Sequence, residues 1–78
     1  MGKGTHPQKN RHHITPKSRG GGNEKLNLKR TPFNYHTAYH TLFDNLTPDE
    51  VIEYLKEVWF TPSKAFIRPH DWLERQAN

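Results

Sequence analysis

Residues 11–40 read RHHITPKSRGGGNEKLNLKRTPFNYHTAYH, and this stretch decides the predicted fold. It begins with the adjacent residues His12 and His13 and ends with His36 and His40, so it holds four of the six histidines in the chain. A polar segment with three consecutive glycines separates the two pairs. Scattered surface histidines would rarely fall into this order, which indicates that the stretch works as one unit.

Two short strands are predicted in the first part of the stretch. Residues 11–15 favour a strand, because Ile14 and Thr15 are β-branched and Pro16 disfavours a helical conformation just before it. Residues 26–31 form the second candidate strand, in which successive side chains point to opposite faces. The two strands would pair as a short antiparallel ribbon joined by the glycine-rich loop.

The periodicity changes after Pro32. Tyr35, Tyr39 and Phe43 recur with a spacing of four, and the second histidine pair has the same spacing on a neighbouring stripe. This pattern predicts a helix over residues 32–44, with one stripe facing the core and the other facing a site.

A second helix is predicted over residues 48–59. The Thr47 hydroxyl can cap it, Pro48 suits the first helical position, and Glu50 completes a capping box. Apolar residues line one side of this helix and charged residues the other. We expect it to cover the unit formed by the strands and the first helix.

The predicted organisation is one domain of the α+β class with a preceding arm. At 78 residues only a modest core can be buried. The predicted parts are a flexible basic arm over 1–10 and a domain over 11–78, which divides into a strand and helix core over 11–44, a covering helix over 47–60 and a tail over 61–78. In the tail, residues 63–67 are predicted to form a helical turn and residues 69–76 a short helix that docks Trp72 and Leu73.

Composition limits the chemistry. Cysteine is absent, so a metal ion would be held by histidine nitrogen or by carboxylate and amide oxygen. No apolar run reaches the length of a membrane span, and no apolar segment follows the first four residues to form a signal peptide. The default expectation is a soluble, cytoplasmic protein that does not bind membranes.

Charge is distributed unevenly along the chain. Eight lysine and arginine residues oppose Glu24 alone in residues 1–30, a formal charge of +7, whereas four oppose seven acidic residues from residue 31 onward, a formal −3. The basic half is also the histidine half. A positive field around a site favours a polyanionic ligand such as nucleic acid, although the first basic residues are equally consistent with a solvated tail.

The histidine pairs suggest a metal site. Two histidines at i and i+4 project from one helix face and can share an ion, although such a pair alone is more often simply solvated. A third histidine from a strand would complete a three-nitrogen site with an open position for chemistry. Adjacent strand residues point to opposite faces, so one of His12 and His13 would be a ligand and the other a general base.

In order and spacing, the pattern H-H-I-x-P-x-S-x-G-G, then N-L, then H-x3-H resembles the HNH endonuclease family, particularly its all-histidine branch that includes the nuclease domains of DNA-cleaving colicins. The match covers residues 11–40. The resemblance implies a ββα-metal fold, here followed by one or two C-terminal helices, and the activity of a metal-dependent DNA endonuclease with low sequence specificity.

The resemblance also implies a role for each matched residue. His12, His36 and His40 would bind one divalent ion, and His13 would be the general base that activates the attacking water. Asn27 would bond across the loop and hold His13 in its working orientation without binding metal. Nitrogen ligands favour zinc or nickel, while magnesium or manganese stay open as the ion used in catalysis.

Basic residues that flank the histidines are the predicted DNA contacts. The metal would neutralise charge on the phosphodiester while the general base accepts the proton of water, giving a 5′ phosphate and a 3′ hydroxyl. Contacts to phosphates confer affinity without reading bases. The predicted contacts are Arg11, Lys17, Arg19, Lys29 and Arg30.

Two alternatives remain open from the sequence. The first is a catalytically inactive module that keeps the fold and binds nucleic acid or protein. The second is a small helical interaction protein in which Val51, Leu55, Trp59 and Trp72 form a partner surface. In the preferred interpretation the domain cleaves DNA, alone or inside a larger phage or bacterial assembly.

Overall fold

An antiparallel strand pair provides the frame of the molecule. The computed structural model describes residues 9–77. Strand β1 (Lys9–His13) pairs with β2 (Leu28–Pro32), and His13 lies opposite Leu28 at the end of the register. Helix α1 (Phe33–Phe43) follows β2 directly and packs against both strands. This arrangement confirms the predicted ribbon and the helix that follows it.

Two further helices complete a small α+β unit. The α2 helix (Pro48–Tyr54) continues into one wider π-helical turn (Leu55–Trp59), so the helical segment ends at the predicted residue. The predicted capping box at its start is present, with Thr47 accepting from the Glu50 backbone. Helix α3 (Pro69–Gln76) lies where the sequence predicted it.

Several predicted boundaries differ from the structure. Strand β1 begins at Lys9, two residues early, so Asn10 belongs to the sheet; the rest of the predicted arm lies outside the described residues. The second strand begins only at Leu28, because the preceding three residues form a tight 3₁₀ turn that leaves Leu26 93% exposed. No helix forms over residues 63–67, where a single turn closes with Lys64 N–H donating to Thr61 O.

The hydrophobic core lies between α2 and α3. Tyr54 and Trp72 pack edge to face with ring centroids 5.5 Å apart, and the Tyr54 hydroxyl donates to Ile67 O. No residue of α1 is buried, so the ribbon and α1 carry little apolar core of their own. The core residues are Leu46, Tyr54, Val58 and Trp72, with Phe43, Val51, Ile67 and Leu73 packed against them.

The alternative in which Val51, Leu55, Trp59 and Trp72 form a partner surface is wrong, because most of these side chains are covered. Trp72 is only 4% exposed, and Val51 is half-buried against the same core, because α3 folds back onto the apolar side of α2. Trp59 alone of the predicted set is well exposed, and its ring meets the Phe66 ring at 5.6 Å. The apolar side of α2 therefore serves the protein's own core.

An ion pair joins the glycine-rich loop to α2. The Arg19 guanidinium donates to both Glu50 carboxylate oxygens at 2.7 and 2.6 Å and also to Asn45 O at 3.1 Å. The hydrogen bonds from Arg19 lower the pKa of the Glu50 carboxyl. Because Glu50 also caps α2, the Arg19 side chain connects the loop to the interhelical turn and to the start of the second helix.

Within the described part of the chain, the helices are too short and too polar to cross a membrane.

Substituting Glu50 tests this connection. We expect Glu50→Ala to lower the free energy of unfolding by roughly 2 kcal/mol, because it removes a two-pronged ion pair and a helix cap together. Urea denaturation would measure the change. The matched control is Glu53→Ala, whose carboxylate only approaches Lys56 at 3.8 Å on the surface and should cost less than about 0.5 kcal/mol. Equal effects of the two substitutions would contradict this assignment.

Candidate metal centre

Three histidines from two elements converge between the ribbon and α1. His12 comes from β1, whereas His36 and His40 lie one turn apart on α1. Each offers a ring nitrogen, and these nitrogens all lie within 4.8 Å of one another. The ring centroids of His12 are 5.3 Å from His36 and 5.8 Å from His40. The predicted ligand trio therefore lies close enough to hold one metal ion.

Hydrogen bonds hold the two helix histidines from behind. Their Nε2 atoms are 3.0 Å apart. His40 Nδ1 donates to Asp44 O at 3.2 Å, and His36 Nδ1 lies 3.0 Å from the Asn10 side-chain nitrogen. Asp44 has a φ of 51°, the only positive φ outside glycine within residues 9–77. Both rings are thus held at Nδ1, and their Nε2 atoms face each other.

Burial favours the neutral form of two of the three imidazoles, those of His12 and His36. Burial lowers the pKa of His12, and the neighbouring rings of His36 and His40 lower it further. Burial and the nearby His40 ring likewise lower the pKa of His36. Neutral imidazole is the form that binds metal. In addition, His12 Nδ1 is buried and has no hydrogen-bond partner among the described residues, a situation that a ligand at the cluster could relieve.

His13 lies on the wall of a cleft beside the cluster. The cleft has a volume of about 250 Å³, and His36 and His40 also line it. The His13 Nε2 atom is 2.8 Å from Asn23 Oδ1, and because this oxygen only accepts, the ring donates and keeps Nδ1 free. The cleft lining is His13, Pro16, Lys17, Ser18, His36, His40 and Asn45.

The Asn27 side chain closes the loop behind His13. Its Oδ1 accepts from Thr15 N at 2.8 Å, and its Nδ2 donates to Thr15 O at 3.0 Å and to Gly22 O at 2.9 Å. Its backbone carbonyl also accepts from Ile14 N at 2.8 Å. Asn27 is 8% exposed and does not belong to the histidine cluster. It therefore fixes the chain that follows His13, while Asn23 contacts the His13 ring itself.

The predicted DNA contacts occupy different surroundings. Arg11 lies opposite Arg30 on the ribbon, while Lys29 lies opposite His12 on the other face. All three cations are exposed, and Lys17 is exposed at the cleft. Arg19 differs, because Glu50 already neutralises its charge.

Three residues of the site could not be identified from the sequence pattern. Asn10 contacts His36, Asn23 contacts His13, and the Tyr39 ring packs on His12 at 4.6 Å. The spacing of Tyr39 predicts its place on the helix, but the same spacing predicts that it faces the core and not the site. The two asparagines carry no local signal, because each reaches its histidine only when the ribbon and loop are folded.

Comparison of the chain with protein-family models, with curated proteins and with solved structures finds no match.

Gly21 is expected to be indispensable to this loop. A Cβ atom at Gly21 would collide with the Thr15 carbonyl and lie 2.8 Å from Asn27 Nδ2. We therefore expect Gly21→Ala to lower the free energy of unfolding by at least about 2 kcal/mol. At Gly22 an added Cβ meets only the mobile end of Glu24, so Gly22→Ala should cost less than about 1 kcal/mol. Thermal or urea unfolding of both variants tests the ranking, which equal stability would refute.

Acidification should destabilise the metal-free protein. Because the folded-state pKa values of His12 and His36 lie below the ordinary value of 6.5, protonation is easier in the unfolded chain. Their contribution is complete above that value and is lost as the pH falls through the lowered values. Urea unfolding in chelator from about pH 7.5 to about pH 5 should show this loss. A His36→Gln variant should lose less, and an identical pH dependence would exclude the effect.

Proposed function

We propose that this protein is a metal-dependent DNA endonuclease of the HNH type, built on a ββα-metal motif. The observation that carries the proposal is the position of His13. It lines a cleft that is also lined by two members of a three-histidine cluster. A general base beside a metal centre is the arrangement that hydrolysis of a phosphodiester requires.

The donor set fits a divalent transition metal. Three neutral imidazoles from His12, His36 and His40 would hold it and leave a position open for substrate. Nitrogen donors favour zinc or nickel, while magnesium or manganese are further candidates for the catalytic ion. When bound, the ion supplies positive charge that stabilises the negative charge developing on the phosphodiester.

His13 supplies the base in this proposal. Its Nε2–H donates to Asn23 Oδ1, so Nδ1 keeps a lone pair that can accept a proton from water as the oxygen attacks phosphorus. The bond from phosphorus to the 3′ oxygen breaks and that oxygen takes a proton from solvent, which leaves a 5′ phosphate and a 3′ hydroxyl. Asn27 contributes by fixing the loop, since its three side-chain hydrogen bonds determine the path of the chain after His13.

DNA is the substrate that the charges favour. Arg11 and Arg30 are exposed and directly opposed on the ribbon, a like-charge pair that is unfavourable alone and that a phosphate would stabilise. Lys17 at the cleft and Lys29 beside His12 are further phosphate contacts. Arg19 is not among the proposed phosphate contacts, because it is paired with Glu50. Contacts of this kind give low sequence specificity, and action on DNA would place the protein in the cytoplasm.

The second candidate is a catalytically inactive module with the same fold. Its support is an exposed aromatic surface on the C-terminal half, where Trp59, Phe60 and Phe66 are each about half exposed or more. Such side chains suit a protein partner, which is also consistent with a nuclease that works in a larger phage or bacterial assembly.

Plasmid cleavage distinguishes the two candidates. The native protein, supplied in turn with zinc, nickel, magnesium and manganese, should convert supercoiled plasmid to nicked or linear forms with at least one ion. Removing the base with His13→Ala should lower the rate by about 10²- to 10⁴-fold. Gel analysis of the products measures the rates.

His70→Ala is the matched control, because His70 lies on α3 near Asp44 and Glu74 and lines no part of the cleft. It should cleave at the native rate. Native protein that binds a metal ion but cleaves no faster than His13→Ala would favour the inactive module.

A further inference from the structure

The two helix histidines differ in how their outer nitrogens are held. For His40 the partner of Nδ1 is the Asp44 carbonyl, which can only accept. The proton must therefore lie on Nδ1, and Nε2 keeps its lone pair. His40 is already in the tautomer that a metal ion at Nε2 requires.

His36 has the opposite arrangement. The partner of its Nδ1 is the Asn10 side-chain nitrogen at 3.0 Å, which can only donate. Nδ1 must then accept, so the proton lies on Nε2. This proton points to His40 Nε2, 3.0 Å away, which has the lone pair to receive it. Three hydrogen bonds therefore run in one direction, from Asn10 through His36 and His40 to the Asp44 carbonyl.

This chain of hydrogen bonds stabilises the metal-free site but blocks it. The Nε2 lone pair of His40 is occupied, and the corresponding atom of His36 carries a proton. An ion that used both Nε2 atoms would require the His36 proton to move. In a neutral ring the only other position for this proton is Nδ1. The Nδ1–H group and the Asn10 side-chain nitrogen would then be two donors facing each other.

We propose that Asn10 is a positioning residue for His36 and that the side-chain amide of Asn10 flips when metal binds. The His36 proton passes from Nε2 to Nδ1 through solvent, with no net release. The Asn10 amide rotates half a turn about its Cβ–Cγ bond, and its Oδ1 then accepts from His36 Nδ1–H. His36 then matches His40, with Nδ1–H held by an oxygen and Nε2 free for the ion. The inference rests on the proposed metal site and adds to it the residue that sets the state of one ligand.

The fold makes Asn10 suitable for this role. It lies opposite Thr31 on the ribbon, two residues from His12, and is partly buried beside α1. An asparagine can donate in one orientation and accept in the other, so it can serve both states of the ring. An oxygen partner behind a metal-binding histidine fixes its tautomer and raises its basicity.

Metal affinity of Asn10 variants tests the proposal. Competition with a chelating dye would measure zinc and nickel binding by the full chain. Asn10→Ala, which can neither donate nor accept, should weaken binding about 10- to 100-fold. Asn10→Asp, which keeps the shape and only accepts, should bind at least as tightly as the native protein. Asn34→Ala, an exposed asparagine on α1, is the control and should bind like the native protein.

Equal weakening by the alanine and aspartate variants would overturn the proposal, because aspartate keeps the acceptor oxygen that the metal-bound state is proposed to need. Native affinity in the alanine variant would overturn it as well. Failure of the native protein to bind either ion would instead contradict the metal centre, so the two failures are distinguishable.

The tautomer of His36 gives a measurement that does not depend on metal. Nitrogen-15 NMR of the metal-free protein should show His36 protonated on Nε2 in the native chain and on Nδ1 in Asn10→Asp. Protonation on Nδ1 in the metal-free native protein would overturn the proposed turn of the amide.

Discussion

The Asn27 side chain is the constraint on which the site depends. The loop between β1 and β2 is long, and regular strand pairing stops at His13 and Leu28. Beyond that point the Asn27 amide replaces the ladder, bonding both polar atoms of the Thr15 backbone and the Gly22 carbonyl. Because an amide offers an acceptor and two donors, one buried side chain can satisfy three backbone groups at once. His13 is held at the cleft by this closure.

The site and the hydrophobic core occupy different parts of the molecule. The apolar core lies between α2 and α3, whereas the interior between the ribbon and α1 consists largely of imidazole and phenol rings. Apolar burial, the main source of stability, is therefore concentrated away from the histidine cluster. The Arg19–Glu50 pair links the loop to the stable half. A bound ion would add to the stability of the other half, because it would bind only the folded arrangement.

Charge and protonation are adjusted together around the histidines. Burial lowers the pKa of His12 and of His36 and so favours their neutral forms, while the exposed cations of the ribbon provide a positive field outside the cleft. The arginine side chains near the site lie in two different environments. Arg11 and Arg30 are exposed on the ribbon, whereas Arg19 is neutralised by Glu50 within the fold.

Local patterns in the sequence determined the order of elements, the capped start of α2 and the projection of His36 and His40 from one helix face, because these depend on neighbours a few residues apart. Strand alternation left His12 and His13 open as the third ligand, and only the resemblance to the HNH family assigned that role to His12. Only the tertiary structure decided that Asn10 contacts His36, that Asn23 contacts His13 and that Arg19 forms an ion pair with Glu50. These contacts join residues 10 to 31 positions apart, and no local periodicity specifies them, since they exist only after strand register and loop closure bring the side chains together.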